Sequence, residues 1–174
     1  WPVATSGALH GKSVAEVVGD SPGLEVVAFA NLAFPKDGSW WRELLVLGAE
    51  GQPLRRWVTP DCDYTNDVRR IHAAVGSFRA DGPARIVIPW GCGAVACFDP
   101  AGTGAAPIWI AHASGRILST PLLADLDGDG EREVVVAAAA SREGALDGGV
   151  YVFDAEGRLK RGWPALEGEL LTSQ

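Results

Sequence analysis

Tryptophans at positions 57, 109 and 163 close three stretches that share one pattern, and an internal repeat constrains a fold more than any single motif does. The stretches read LLVLGAEGQPLRRW at 44–57, AVACFDPAGTGAAPIW at 94–109 and GVYVFDAEGRLKRGW at 149–163. Each is a run of β-forming residues, a turn carrying glycine, and a second run that ends on tryptophan. Aligning Leu47, Phe98 and Phe153 gives spacings of 51 and 55 residues. Upstream lies a second shared pattern: SVAEVVGDSPGLEVVAFA from 13, SFRADGPARIVIPW from 77 and STPLLADLDGDGEREVVVAA from 119. These read strand, polar turn, strand. Together the halves predict an all-β chain of four-stranded β-propeller blades, with three units at about 12–58, 77–110 and 119–164.

The pair Trp1-Pro2 recurs as Trp163-Pro164, three periods of 54 later, so 163–174 reads as the start of a further unit. Propellers close with ~4–8 blades, and three alone would leave two edges open. The remaining blades come either from a longer chain, of which this is a segment, or from further copies. The absence of methionine and a start inside a repeat favour the segment. Residues 59–76 interrupt the pattern as an insertion. There Asn66 and Asp67 as N-caps, followed by Val68, Ile71 and Val75 at helical spacing, predict a short helix on a projecting loop.

The sharpest motif lies in the third unit. Asp125-Leu126-Asp127-Gly128-Asp129-Gly130-Glu131-Arg132-Glu133 places carboxylates at positions 1, 3, 5 and 9. Calcium takes six to eight oxygens, and alternate acids on a tightly curved loop converge on one point. Gly130 falls where the chain must turn sharply. Glu131 would contribute its carbonyl, and Glu133 would close the shell. An EF-hand carries its last ligand at position 12 and continues into a helix. Here position 12 is Val136, and the run EVVVAAAA predicts a strand. Magnesium, with its small octahedral shell, fits less well.

The stretch STPLLADLDGDGEREVVVA followed by GGVYVFDAEGRLKRGWP resembles the FG-GAP or VCBS-type repeats of integrin α-subunit propellers and of many bacterial surface and secreted proteins. The likeness is good over 119–164, degenerate over 13–58 and weak over 77–110. It implies Asp125, Asp127, Asp129 and Glu133 as side-chain ligands of Ca2+, with Glu131 acting through its carbonyl. The other units depart from the motif. Glu16-Val17-Val18-Gly19-Asp20-Ser21-Pro22-Gly23 keeps two acids but has Val18 at the middle position, and the second unit offers only Asp81-Gly82-Pro83. Neither is expected to hold calcium; Pro22 and Pro83 can stiffen these turns instead.

No catalytic constellation can be assembled. There is no nucleophile elbow, HExxH or phosphate-binding glycine loop. His10, His72 and His112 are isolated and read as surface or hydrogen-bonded residues. Asp99 and Asp154, in FDxxG, read as turn residues that bond their own backbone. Trp57, Trp109 and Trp163 are expected between blades, whereas Trp40, Trp41 and Trp90 do not recur and could line a binding surface. Among the three cysteines, Cys92–Cys97 is favoured over any pair with Cys62, and buried free thiols are the other reading.

A net charge of −7 leaves no basic face for nucleic acid. No apolar run approaches the ~20 residues of a membrane-spanning helix. The expected function is a calcium-stabilised binding or scaffold module recognising protein or carbohydrate, as in cell adhesion. Plentiful calcium places it outside the cell, at the cell surface or in the periplasm. The competing reading is a non-catalytic or catalytic propeller part of a larger enzyme, such as a polysaccharide lyase or a redox assembly.

Overall fold

The computed structural model describes residues 8–34, 39–60, 72–90, 92–117, 119–139 and 148–165. Among them there is no helix, and the strands form three four-stranded antiparallel sheets. The first contains β1 (Ala8–Ala15), β2 (Glu25–Phe34), β3 (Ser39–Leu47) and β4 (Pro53–Pro60), in that order. The second contains β5 (Ala74–Ser77), β6 (Ala84–Pro89), β7 (Ala94–Phe98) and β8 (Trp109–His112), again in order. In the third, β9 (Arg116–Ile117) and β10 (Leu122–Ala124) share one side of β11 (Glu133–Ala139), and β12 (Gly149–Phe153) takes the other. Beyond β12, single bridges join Phe153 to Leu159 and Val150 to Ala165, where the other sheets have their fourth strand.

In the first two sheets strand neighbours are sequence neighbours, so each is a meander; in the third, β10, β11 and β12 follow in order while β9 pairs with β11. The alternation of side chains along a strand then gives every sheet two working faces. In the second sheet Ile86, Ile88, Ala94, Ala96 and Phe98 join a core with Val27, Phe29, Leu44, Val46 and Trp57 of the first. Its opposite face, with Val87, Val95, Cys97 and Ala111, joins Val134, Val136, Tyr151 and Phe153 of the third. The sheets are thus stacked in chain order with the second in the middle. Trp57 meets Phe98 across the first junction at 5.4 Å between ring centres, tilted 53°. The leading strands also approach: Ser13 Oγ donates to the Ala73 carbonyl at 2.8 Å, and the His72 amide donates to Thr120 Oγ1 at 3.0 Å.

Several expectations change. The second unit starts at Ala74, inside the supposed insertion, and Val75 lies in β5 opposite Ile86. Pairing with β6 overrides the local helical spacing, whereas Asn66, Asp67, Val68 and Ile71 lie outside the described residues. Trp90 does not line a surface; it is buried in the core between the first two sheets, 6% exposed. The side chains of Trp40 and Trp41 lie outside the described residues.

Cys92 is disulfide-bonded while Cys97 is a free, buried thiol, so the favoured Cys92–Cys97 pair does not form. Cys97 sits on β7 facing the third sheet, pointing away from the turn that was to bring the two together. Cys62 lies outside the described residues. Burial pushes the Cys97 thiol from 9.0 up to about 12, outweighing the lowering by Arg85. The unfolded chain therefore ionises first, and stability falls by about 1.4 kcal/mol per pH unit between those two values. Native protein should leave Cys97 unlabelled by a thiol reagent at neutral pH and expose it on unfolding, as peptide mapping would show. Rapid labelling of native Cys97 would refute its place in the core.

Candidate metal centre

The loop from Asp125 to Glu133 joins β10 to β11, and its shape is set by backbone amides that bond its own acids. Asp125 accepts from the Gly128 amide at 2.7 Å and the Gly130 amide at 3.1 Å. Asp127 accepts from the Asp129 amide at 3.3 Å, and Asp129 from the Glu131 amide at 2.7 Å. Gly128 and Gly130 hold φ of 78° and 89°, a region where a Cβ would strain the backbone, so the loop can coil this tightly only with glycine at both places.

Coiling brings Asp125, Asp127 and Glu133 together, with one oxygen of each within 4.8 Å of the others. Asp125 and Asp127 are exposed, while Glu133, the first residue of β11, is 2% exposed. Its Oε2 accepts from the Leu126 amide at 2.8 Å, tying the end of the loop to its start. Asp129 lies outside this cluster. The Glu131 side chain turns away to an ion pair with Arg79 in the β5–β6 turn. The loop is docked there, since the Arg132 amide also donates to the Phe78 carbonyl at 2.7 Å.

Lys160 was not foreseen in this site. Its Nζ lies 2.6 Å from Asp127 Oδ2 and 2.7 Å from Glu133 Oε1. This hydrogen bond holds the Asp127 carboxyl below its ordinary range, and the two carboxylates raise the Lys160 ammonium. The ammonium offsets part of the negative charge that the three carboxylates concentrate there. The donor set is of the kind a hard cation takes: three carboxylates from one glycine-hinged loop, two of them open to solvent. Asp125, Asp127 and Glu133 would hold the ion once Lys160 withdraws.

The first sheet carries a counterpart that spacing had hidden. Glu25 opens β2 as Glu133 opens β11, and its Oε2 accepts from the Val17 amide at 2.8 Å and more weakly from Val18 at 3.4 Å. The loop from Glu16 is one residue longer than that from Asp125, so a position-by-position comparison passes over Glu25. Val17 and Val18 are buried in the core, Glu16 and Asp20 are exposed, and among the described residues Glu25 is part of no group of three or more acids, histidines or cysteines that could hold an ion. Where the third repeat has Lys160, the aligned residue here is Leu54, and Glu25 Oε1 is buried without a hydrogen-bond partner.

The remaining candidates behave as structural residues. Asp99 accepts from the Ala101 amide, and Asp154 from the Glu156 and Arg158 amides, as the FDxxG turns require. Partial burial raises the Asp154 carboxyl, yet the amides and guanidinium of Arg158 bring it below its usual range. His72 Nδ1 lies 2.9 Å from the Lys12 carbonyl oxygen. His112 is exposed at the end of β8, and the His10 side chain lies outside the described residues. A cleft of about 460 Å³ opens beside the metal loop, lined in part by Phe78, Pro83, Ile108, Trp109 and Glu156. Its two arginines are already paired, Arg79 with Glu131 and Arg85 with Asp99. Compared with models of known protein families and with the curated proteins, the chain matches none.

Proposed function

We propose that this chain is a calcium-stabilised module of a β-propeller, its three sheets being blades, with inter-strand loops that recognise protein or carbohydrate. The observation that carries this reading is the convergence of Asp125, Asp127 and Glu133 on a loop that runs directly into a strand of one of three stacked, four-stranded antiparallel sheets. Asp129 and the Glu131 carbonyl would join as the loop tightens on the ion. Calcium supplies the charge that lets these acids approach; the loop then clasps β10 to β11 and, through Arg79, the third sheet to the second. Remaining blades or further copies complete the ring. Dependence on abundant free calcium favours an extracellular, cell-surface or periplasmic setting.

Thermal unfolding in calcium and in chelator tests this directly. At calcium 100-fold above its dissociation constant, linkage adds about 2.7 kcal/mol, which should raise the midpoint by several degrees. Magnesium should do less. An unchanged transition would remove calcium from the reading.

A further inference from the structure

The three converging carboxylates of the Asp125–Glu133 loop do not offer their oxygens equally. Asp125 accepts from the Gly128 and Gly130 amides through one oxygen each, Asp127 Oδ1 accepts from Asp129, and Glu133 Oε2 accepts from Leu126. The oxygens left over by the backbone are Asp127 Oδ2 and Glu133 Oε1. Lys160 Nζ takes both, at 2.6 and 2.7 Å. The ammonium therefore sits on the acceptors that an ion entering between these acids would use first.

The backbone that delivers this lysine does not depend on its side chain. The Lys160 amide donates to the Val152 carbonyl at 2.8 Å, and the Lys160 carbonyl accepts from the Trp163 amide at 3.2 Å. Bridges from Phe153 to Leu159 and from Val150 to Ala165 hold the segment on either side. The ammonium can leave the loop by rotation of its four-carbon stem while all of these stay made. Its side chain is already 26% exposed, so the path to water is short.

The other repeats supply the comparison. Strand pairing sets Val26 against Leu47, Ile86 against Phe98 and Val134 against Phe153, which places Glu25, Arg85 and Glu133 at matching points. Arg85 is paired with Asp99, and the stretch 77–110 contains no lysine. Glu25 belongs to no group of three ion-binding side chains, and the residue aligned with Lys160 there is Leu54, packed on the core. The lysine stands only where three carboxylates converge, so it answers their charge and is not a requirement of the repeat.

We propose that Lys160 is the resident counter-ion of this loop and the competitor that sets how much calcium is needed to fill it; the proposal rests on the calcium reading above. In metal-free protein the ammonium holds Asp127 and Glu133 together. On loading, the ion takes their free oxygens and the ammonium moves out to solvent, since cations drawn to the same oxygens repel each other. A mobile single charge suits this exchange, because the incoming divalent ion gathers about six to eight oxygens where the ammonium holds two. One contact thus stabilises the empty loop and weakens calcium binding, because it exists in only one of the two states. Filling is confined to surroundings rich in the ion.

Calorimetric titration of calcium into the chelator-treated chain tests this, beside urea unfolding in chelator and far-UV circular dichroism as the folding control. Lys160→Met keeps the stem and loses the charge. Its dissociation constant for calcium should fall at least about tenfold, and its unfolding midpoint in chelator should fall as well. Lys160→Arg keeps the charge and should bind calcium more weakly than Lys160→Met. In wild-type protein, brief treatment with an amine-reactive reagent followed by peptide mapping should modify Lys160 faster in saturating calcium than in chelator. Calcium binding by folded Lys160→Met no tighter than wild type overturns the proposal, as does labelling of Lys160 that calcium does not accelerate. If Lys160→Met does not fold, the labelling decides alone. Equal calcium binding by the two proteins removes only the role of Lys160, whereas no binding by either removes the calcium reading and this proposal with it.

Discussion

Phe98→Ala is expected to cost about 3–5 kcal/mol, the range for truncating a buried phenylalanine. Phe98 is 1% exposed, packs against Trp57 of the first sheet, and lies at the end of β7 where the turn begins. It has little freedom to collapse into the gap, because Ile86 stands opposite it in β6 and Trp57 is itself anchored to Gly104. A loss of that size is a large share of a typical domain stability of about 5–15 kcal/mol. Denaturant unfolding measures it; a loss below about 1 kcal/mol would show that the first two sheets do not share a packed core.

The second large effect is a contrast between two buried carboxylates. Glu133→Gln sets an amide donor against the Lys160 ammonium and removes one carboxylate of the proposed calcium site. A loss of about 2–3 kcal/mol without metal, and of the calcium response, is expected. Glu25→Gln should change stability by less than about 1 kcal/mol. The amide oxygen can still accept from Val17, and the oxygen it replaces has no partner to lose. Urea unfolding of both variants with chelator isolates the role of Lys160. Equal losses would show that its ammonium is not what separates the two sites.

The repeat was readable because residues that meet between sheets are also among those that recur: Trp57, Trp109, Phe98 and Phe153. The acidic loop was readable because its carboxylates are local, within nine residues of one another. What escaped depends on distance or on a shifted count. Lys160 reaches Asp127 from 33 residues away through the register of the third sheet, which no spacing reveals. Glu25 was hidden by one extra loop residue. β5 was hidden because four residues, AVGS, are too short to show alternation, and β6 supplies the pairing that makes them a strand. Trp90 does not recur, yet the core between the first two sheets takes it in all the same.

Sequential stacking also shapes how the molecule comes apart. Each hydrogen-bonded strand partner is supplied by the same repeat, so ladder contacts span short stretches of chain and need little loop-closure entropy before they form. Among the described residues the first and third sheets each share a packed core with the second, which shares one on both of its faces. Energetically this is a short one-dimensional array: order can nucleate in any unit and spread through its neighbour, and opening is cheapest at an end. The clasp at Asp125–Glu133 sits in the third sheet and is docked on the second through Arg79, so an ion bound there would raise the cost of opening that sheet against its neighbour.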